Sequence, residues 1–434
     1  MAEDRDELKR RRQRREELRR KREKAHRRMI LRLVIAGVVL VLCILLIWAV
    51  ASGSDPEPAG DSTGTSGTQT AQPVQTTAAP TEQEEQTVIH IAAAGDLNVT
   101  DSSVAAGKIV GGYDFTDTFL DVAPVLSNAD LAIVNFEGNL IGEPYGSAYS
   151  SAPQELMQAL ADAGVDLVQM ANSYAITNGI QGLSQTLTGI HNAGMEPLGA
   201  YASNTEAKSS KGYTICQVQG IKVAVVAFTK GMSNLGLPEG SEKCVNLLYN
   251  DYATTYRSIN YEGIRKILRD AADEDPDFTI ALVHWGSEYN EEIGETQTDI
   301  RDLMLEEGVD AIIGTHPHLV QTVEYDETAG TLVAYSLGDF FGDGEEPGSN
   351  YSIILDLEIT RDNITGQTKL TNWSYTGTYN MKPSESGKET LRVVRIDNAL
   401  EAYELDYFDS ITEEAYEDMA YAKQRIAERT SGEG

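Results

Sequence analysis

The sequence predicts an α/β domain with a mixed sheet, or two packed sheets, flanked by helices and set behind one transmembrane helix and a disordered linker. From Thr87 onward, strand-like runs alternate with helix-like ones. Several of those runs are Val, Ile and Ala with few polar breaks, as expected for strands covered on both faces. Upstream, Leu31 to Val50 carries a single charge, Arg32, near its start.

Residues 1–29 form a basic segment dense in Arg and Lys, and 30–51 the membrane helix: about 20 apolar residues at ~1.5 Å rise cross a ~30 Å hydrocarbon core. Ala49-Val50-Ala51 resembles a signal-peptide cleavage site, but the apolar run is too long for a signal peptide, so an uncleaved anchor is expected. The basic charge ahead of the helix orients the N-terminus to the cytoplasm and the rest outside, a single-pass protein of the cell membrane. Residues 52–86, mostly Gly, Ser, Thr, Pro, Gln and Ala, read as a disordered tether with a reach of ~30–35 Å.

In the folded region, 87–397, strands are expected at Val88–Ala94, Leu131–Phe136, Leu167–Ala171, Tyr213–Val218, Lys222–Ala227, Phe278–Val283, Ala311–Ile313, Leu332–Ser336 and Tyr351–Ile359, with more within 370–397. Helices are expected at Thr116–Asn128, Gln154–Ala163, Gly179–Ala193, Tyr261–Asp273 and Thr298–Glu307, with Pro153 opening one and Gly164 and Gly194 closing two. Gln219-Gly220 reads as a hairpin turn. Residues 398–434 form a helical C-terminal extension, rich in Tyr, Ala and Glu.

The net charge is −32, and without the basic segment the remainder is more acidic still. A nucleic-acid-binding exterior is thereby excluded, because phosphate contacts need clustered cations. Cys216 and Cys244 are the only cysteines beyond the membrane helix, and an oxidising location permits a disulfide between them.

Five strand ends finish in polar residues: Gly95-Asp96, Asn135-Phe136-Glu137-Gly138, Ala171-Asn172-Ser173-Tyr174, His284-Trp285-Gly286-Ser287-Glu288-Tyr289 and Gly314-Thr315-His316-Pro317-His318. Ligands of open α/β folds gather beyond the carboxyl ends of strands, so the five are expected to meet in one cleft. Taken singly, each has an ordinary alternative. Gly-Asp makes turns, Glu137 could form a surface ion pair, Asn172 could cap a helix, and His284 could be a packed core residue. His316 and His318, two residues apart on one loop, fit a shared cation better. His90, His191 and His26 lack that setting.

In order, these segments resemble the capsule-synthesis CapA family, the poly-γ-glutamate capsule proteins, whose fold is related to the calcineurin-like metallophosphatases. The resemblance runs over roughly residues 88–342 and rests on Gly95-Asp96, Asn135-Phe136-Glu137-Gly138, His284-Trp285-Gly286 with Glu288-Tyr289, His316-Pro317-His318 and Tyr335-Ser336-Leu337-Gly338-Asp339-Phe340. It implies a metallophosphatase-like mixed β-sandwich with one or two divalent metal ions held by Asp96, Glu137, Asn172, His284, His316 and His318. Such a mixed donor set suits Mn, Fe or Zn. The resemblance also implies a role in making a capsule polymer beside other capsule-synthesis membrane proteins. That role is either a metal-dependent hydrolase acting on an anionic polymer or phosphoester, or a non-catalytic accessory of the synthesis and export complex. The sequence departs from the family where Ala-Asn-Asn-His and a following Asp are usual: Tyr174 stands for the histidine and Thr177 for the aspartate. Asp339 replaces the usual Asn before Phe. In related metallophosphatases that histidine helps protonate the leaving group. Tyr174, with Glu288, is left as the candidate near the leaving group, and a phenol of pKa ≈ 10 is poorly matched to neutral pH.

Overall fold

A computed structural model describes residues 85–382, 384–385, 388–407 and 410–431. The expected basic segment, membrane helix and all but the end of the linker lie outside these residues. Among the described residues no helix is long and apolar enough to cross a membrane.

In chain order the strands of the two main sheets are β1 (Gln86–Asn98), β2 (Leu131–Glu137), β3 (Leu167–Gln169), β4 (Glu196–Leu198), β5 (Tyr213–Val218), β6 (Ile221–Thr229) and β7 (Phe278–His284). There follow β8 (Ala311–Thr315), β9 (Val323–Asp326), β10 (Thr331–Ala334), β11 (Asp339–Phe341), β12 (Tyr351–Asp362), β13 (Thr368–Met381) and β14 (Arg392–Arg395). The first sheet has the order β14-β13-β12-β1-β2-β3-β4, with β11 also pairing β1, and the second has the order β9-β10-β8-β7-β6-β5. Both are mixed. β1 to β4 run parallel while β12 to β14 meander antiparallel, and β6, β7, β8 and β10 are parallel between antiparallel edges β5 and β9.

The period-2 alternation of β6 shows how the layers stack. Val223, Val225 and Ala227 share a core with Ile89 and Ile91 of β1, so this face meets the first sheet. Ala224, Val226 and Phe228 point the other way, onto Ile264 and Leu268 of α3 (Tyr261–Ala272) and Leu303 and Met304 of α4 (Glu295–Glu306), which follow α1 (Gln154–Asp162) and α2 (Gly179–Asn192) in the chain. The expected pair of packed mixed sheets flanked by helices is what forms. Leu156 and Leu160 of the helix Gln154–Asp162, Leu183 and Leu187 of the helix Gly179–Asn192, and Ile396 and Ile426 of the C-terminal helices Ile396–Glu404 and Glu413–Thr430 belong to the same continuous hydrophobic cluster as the first sheet.

Local signals account for the boundaries. Gly164 and Gly194 take the left-handed conformation (φ 105° and 87°) just past their helices, and Gln219-Gly220 (φ 49° and 85°) closes the β5–β6 hairpin. The expected helix Thr116–Asn128 is instead two short pieces, Thr116–Phe119 and Ala123–Ser127, the second starting where Pro124 can occupy a first turn. Two strands end earlier than expected, at Gln169 and Ala334. Cys216 and Cys244 are free thiols.

Gly95-Asp96 is no turn. It lies inside β1, where a Cβ on Gly95 would sit 1.9 Å from the Gly338 carbonyl oxygen. That approach lets the Asp96 N–H donate to the same carbonyl at 2.9 Å. Gly95→Ala must push the two backbones apart and should lower stability by about 1–3 kcal/mol, read as an earlier urea midpoint. An unchanged midpoint would show that the close approach is not required.

Candidate metal centre

Strand register brings the polar residues to one level. Asp96 pairs with Asn135 on β2 and with Asp339 on β11, while His284 pairs with Thr315 on β8 and Thr229 on β6. The facing ends of the two sheets therefore present their side chains to each other. The loop after β8 completes the site with His316 and His318 at φ 95° and 61°. Positive φ is costly for a residue with a Cβ, and two such residues on one short loop mark backbone held in place by its surroundings.

The holding contacts are specific. Asp96 Oδ2 accepts the His316 backbone N–H at 2.9 Å, and its Oδ1 accepts from Asn135 Nδ2 at 2.6 Å. Asn135 also donates to Glu137 Oε1 at 3.2 Å and accepts from Asn172 at 3.0 Å. Asn172 donates to the Phe136 carbonyl at 2.7 Å, and its oxygen accepts the Tyr174 N–H at 3.0 Å. Asn172 is thus at the site as a brace between the second and third strand ends. Glu137 is buried and lies 3.4 Å from His284 Nδ1, which excludes the surface ion pair. His284 is fully buried between Thr315 Oγ1 (3.1 Å) and Ser173 Oγ (3.0 Å). His318 Nδ1 lies 2.7 Å from Asp339 Oδ1, and its ring stacks on Tyr289 at 5.3 Å.

Three overlapping triplets bring candidate ligand atoms within 4.8 Å of one another: Glu137–His284–His316, Glu288–His316–His318 and Asp96–His318–Asp339. Two buried atoms of residues in the first triplet, Glu137 Oε2 and His316 Nδ1, have no hydrogen-bond partner. A buried polar atom without a partner is costly, and a cation is what two such acceptors share. The donor set of carboxylates and imidazoles fits a divalent metal.

Electrostatics agree with that fit. Burial, reinforced by neighbouring His316 and His318, holds His284 neutral well below the usual imidazole range. Burial and the Lys230 ammonium do the same to His316. Neutral imidazole is the form that ligates. Burial pushes Asp96 up to about 6 and, with Asp96 beside it, Glu137 well above the carboxylate range. Burial opposes a charge on His318, but Asp339, Glu137 and Asp96 together lift it to about 11. Without a cation, three carboxyl groups crowd round one imidazolium. The Asp339–His318 pair also has the carboxylate–histidine form that orients a metal ligand, with Nε2 turned to Glu137 Oε2 at 4.0 Å.

Of the expected metal residues, Asp96, Glu137, His284, His316 and His318 are brought together, with Asn172 hydrogen-bonded to Asn135 at their edge and exposed Glu288 beside His316 and His318. Tyr174 is half-buried, and burial, then Glu137 and Glu288, raises its phenol far above the ordinary value. His90 and His191 lie apart, against Asp356 (3.1 Å) and Glu196 (3.5 Å). Asp339, Lys230 and Ser173 escaped the sequence reasoning as site residues. Lys230 Nζ donates to the Gly286 carbonyl at 2.6 Å and lies 3.4 Å from His316 Nε2. It directly follows β6, so the strand-end rule that found the others also applied to it. Leu337-Gly338-Asp339 repeats the Gly-Asp signal of Gly95-Asp96.

Residues 90–343 match the family model described as "Bacterial capsule synthesis protein PGA_cap". The chain is 26% identical over 297 residues to the capsule biosynthesis protein CapA of Bacillus anthracis, covering 66% of this chain and 67% of that one. It is 26% identical over 261 residues to the PGA biosynthesis protein CapA of Bacillus subtilis, covering 58% and 63%. The chain thus spans about two thirds of the length of these curated relatives. Among solved structures it is similar to the calcineurin-like phosphoesterase YfkN of Bacillus subtilis, with a TM-score of 0.41 and 16% identity over 78% of this chain and 99% of that one.

Proposed function

Because this chain belongs to the bacterial capsule synthesis protein family, we propose that it is a metallophosphatase-like, metal-dependent hydrolase. Its substrate would be an anionic capsule polymer, poly-γ-glutamate or a related chain, or a phosphoester. The observation that carries this reading is the convergence of Asp96, Glu137, His284, His316, His318 and Asp339 around two unpartnered buried atoms. Asp96, Glu137, His284, His316 and His318, with Asp339 and Glu288 adjoining, would hold one or two ions of Mn, Fe or Zn, with Asn172 at their edge. Such an ion supplies Lewis-acid polarisation and a more acidic bound water. The chain's own groups do the rest. The Lys230 ammonium, fixed on the Gly286 carbonyl, attracts an anionic group to the His316 side of the site. The Tyr174 phenol, kept protonated, donates a hydrogen bond without giving up its proton. Asp339 orients His318. In this proposal the segment 30–51 anchors the chain in the cell membrane with the domain outside, beside other membrane proteins of capsule synthesis.

One observation favours a second reading, a non-catalytic accessory of the synthesis complex. Tyr174 and exposed Thr177 stand where the family pattern has an acid-donating histidine and its aspartate, and burial makes the phenol a weaker acid still. Stripping the full-length chain with a chelator and restoring Mn, Fe or Zn separates the two. Restored cleavage of poly-γ-glutamate or a phosphodiester is expected. Stoichiometric metal with no cleavage of either substrate would leave the accessory role.

A further inference from the structure

Residues 85–434 hold 20 Lys and Arg against 55 Asp and Glu, so an anionic chain meets long-range repulsion over most of this surface. Against that background, four of the eleven lysines in this stretch line one cleft of about 360 Å³. Lys208 comes from the helix Asn204–Ser210, Lys211 from the residue after it, Lys243 from the loop following β6 and Lys266 from α3. The cleft also takes in Asn260 and Gly263, the start of that 12-residue helix, where the dipole is positive.

Two of these lysines are already paired, Lys211 with Glu274 at 3.3 Å and Lys266 with Asp270. Lys208 and Lys243 are exposed and have no ion-pair partner among the described residues. Glu242, the acidic residue beside Lys243, accepts instead from the Gly240 N–H (2.7 Å) and from Asn204 (2.9 Å). Asn246 donates to the Ala227 carbonyl at 3.0 Å, and its own carbonyl accepts the Thr229 N–H at 3.0 Å, one residue before Lys230.

We propose that this cleft is a docking subsite for a polycarboxylate chain, in which Lys208 and Lys243 pair with carboxylates of one polymer. The naming of the polymer rests on the function proposed above; the cleft and its cations do not. The two lysines make no salt bridge among the described residues, though Glu242 lines the cleft beside Lys243, so a carboxylate gains a partner there without breaking an ion pair.

The test is zero-length carbodiimide coupling of poly-γ-glutamate to the full-length chain, with attachment points mapped by peptide mass spectrometry. Site mapping keeps the basic segment 1–29 from obscuring the result. Adducts at Lys208 and Lys243 are expected to exceed those at exposed Lys108 and Lys369 by about tenfold at low salt, and to fall toward parity at 0.5 M salt as screening shortens to ~4 Å. Equal labelling of all four lysines at low salt overturns the proposal. Hydrolysis of the same polymer by the metal-loaded wild type, measured beside the mapping, separates the two readings. Cleft adducts together with a hydrolytically silent wild type keep the subsite and remove the hydrolase, whereas hydrolysis without cleft adducts keeps the hydrolase and removes the subsite.

Discussion

Replacing His316 by alanine is expected to strip the chain of its divalent cation, while the metal-free fold loses only the packing of one buried ring against His284. The separation follows from what the substitution removes. Alanine keeps the backbone N–H that donates to Asp96 Oδ2, so the loop remains seated. It deletes a buried Nδ1 that has no partner and the long 3.4 Å contact between Nε2 and Lys230, so little hydrogen bonding is lost from the metal-free fold. What is lost is a ligand common to two of the three triplets. Loss of a group that merely orients a ligand typically costs 10–100-fold in metal affinity, so loss of the ligand itself should cost at least about 100-fold. Wild type at 100 times its dissociation constant gains about 2.7 kcal/mol from the metal, a gain the variant should lack. Elemental analysis and chemical denaturation with and without metal read both quantities. Near-stoichiometric metal in the variant would sink the centre.

The same experiment carries a proton signature. His318 is held charged up to about 11 while no cation neutralises Asp339, Glu137 and Asp96. Ligation through its Nε2 must expel that proton. Wild type is therefore expected to release at least one proton per site on metal uptake at pH 7, seen as a buffer-dependent heat of binding.

The sequence made the site more legible than the fold around it, for a physical reason. Parallel strands buried on both faces read as apolar runs, so the point where each run turns polar is conspicuous, and those points are the candidate ligand positions: Asp96, Glu137, His284, His316. Asn172 was visible in the same way, but its brace between Asn135, the Phe136 carbonyl and Tyr174 is a tertiary fact. Short strands were not legible. β4 contains Pro197, β9 lies at a sheet edge, and β11 is three residues long, each a strand only because a neighbour supplies its partner. Missing β11 hid Asp339, whose importance comes from its register opposite Asp96. Lys230 was hidden because it reads as a surface cation until His316, 86 residues away, is folded beside it.

Tyr174→His is the change that should decide whether the centre does chemistry. Tyr174 is fixed through its backbone, its N–H on Asn172 and its carbonyl on Asn139, so a substituted side chain starts from the same place. Its phenol is raised first by burial and then by Glu137 and Glu288, which makes it a hydrogen-bond donor and no acid at neutral pH. An imidazole there feels the same carboxylates with the opposite consequence: burial lowers its pKa and the carboxylates raise it, keeping it able to donate near neutrality. A well-placed acid is worth about 10²–10⁴-fold in rate, so the metal-loaded variant should hydrolyse a phosphodiester faster than wild type by a factor in that range. The gain should fade above the imidazole's pKa, because only the protonated ring can donate. A pH–rate profile reads both features, and unchanged metal content shows that the scaffold is intact. If the variant binds metal as wild type does and neither protein cleaves, the missing acid is not what limits the site. The carboxylate–imidazole cluster would then serve to hold a cation for binding an anionic polymer, and the accessory role would stand in place of the hydrolase.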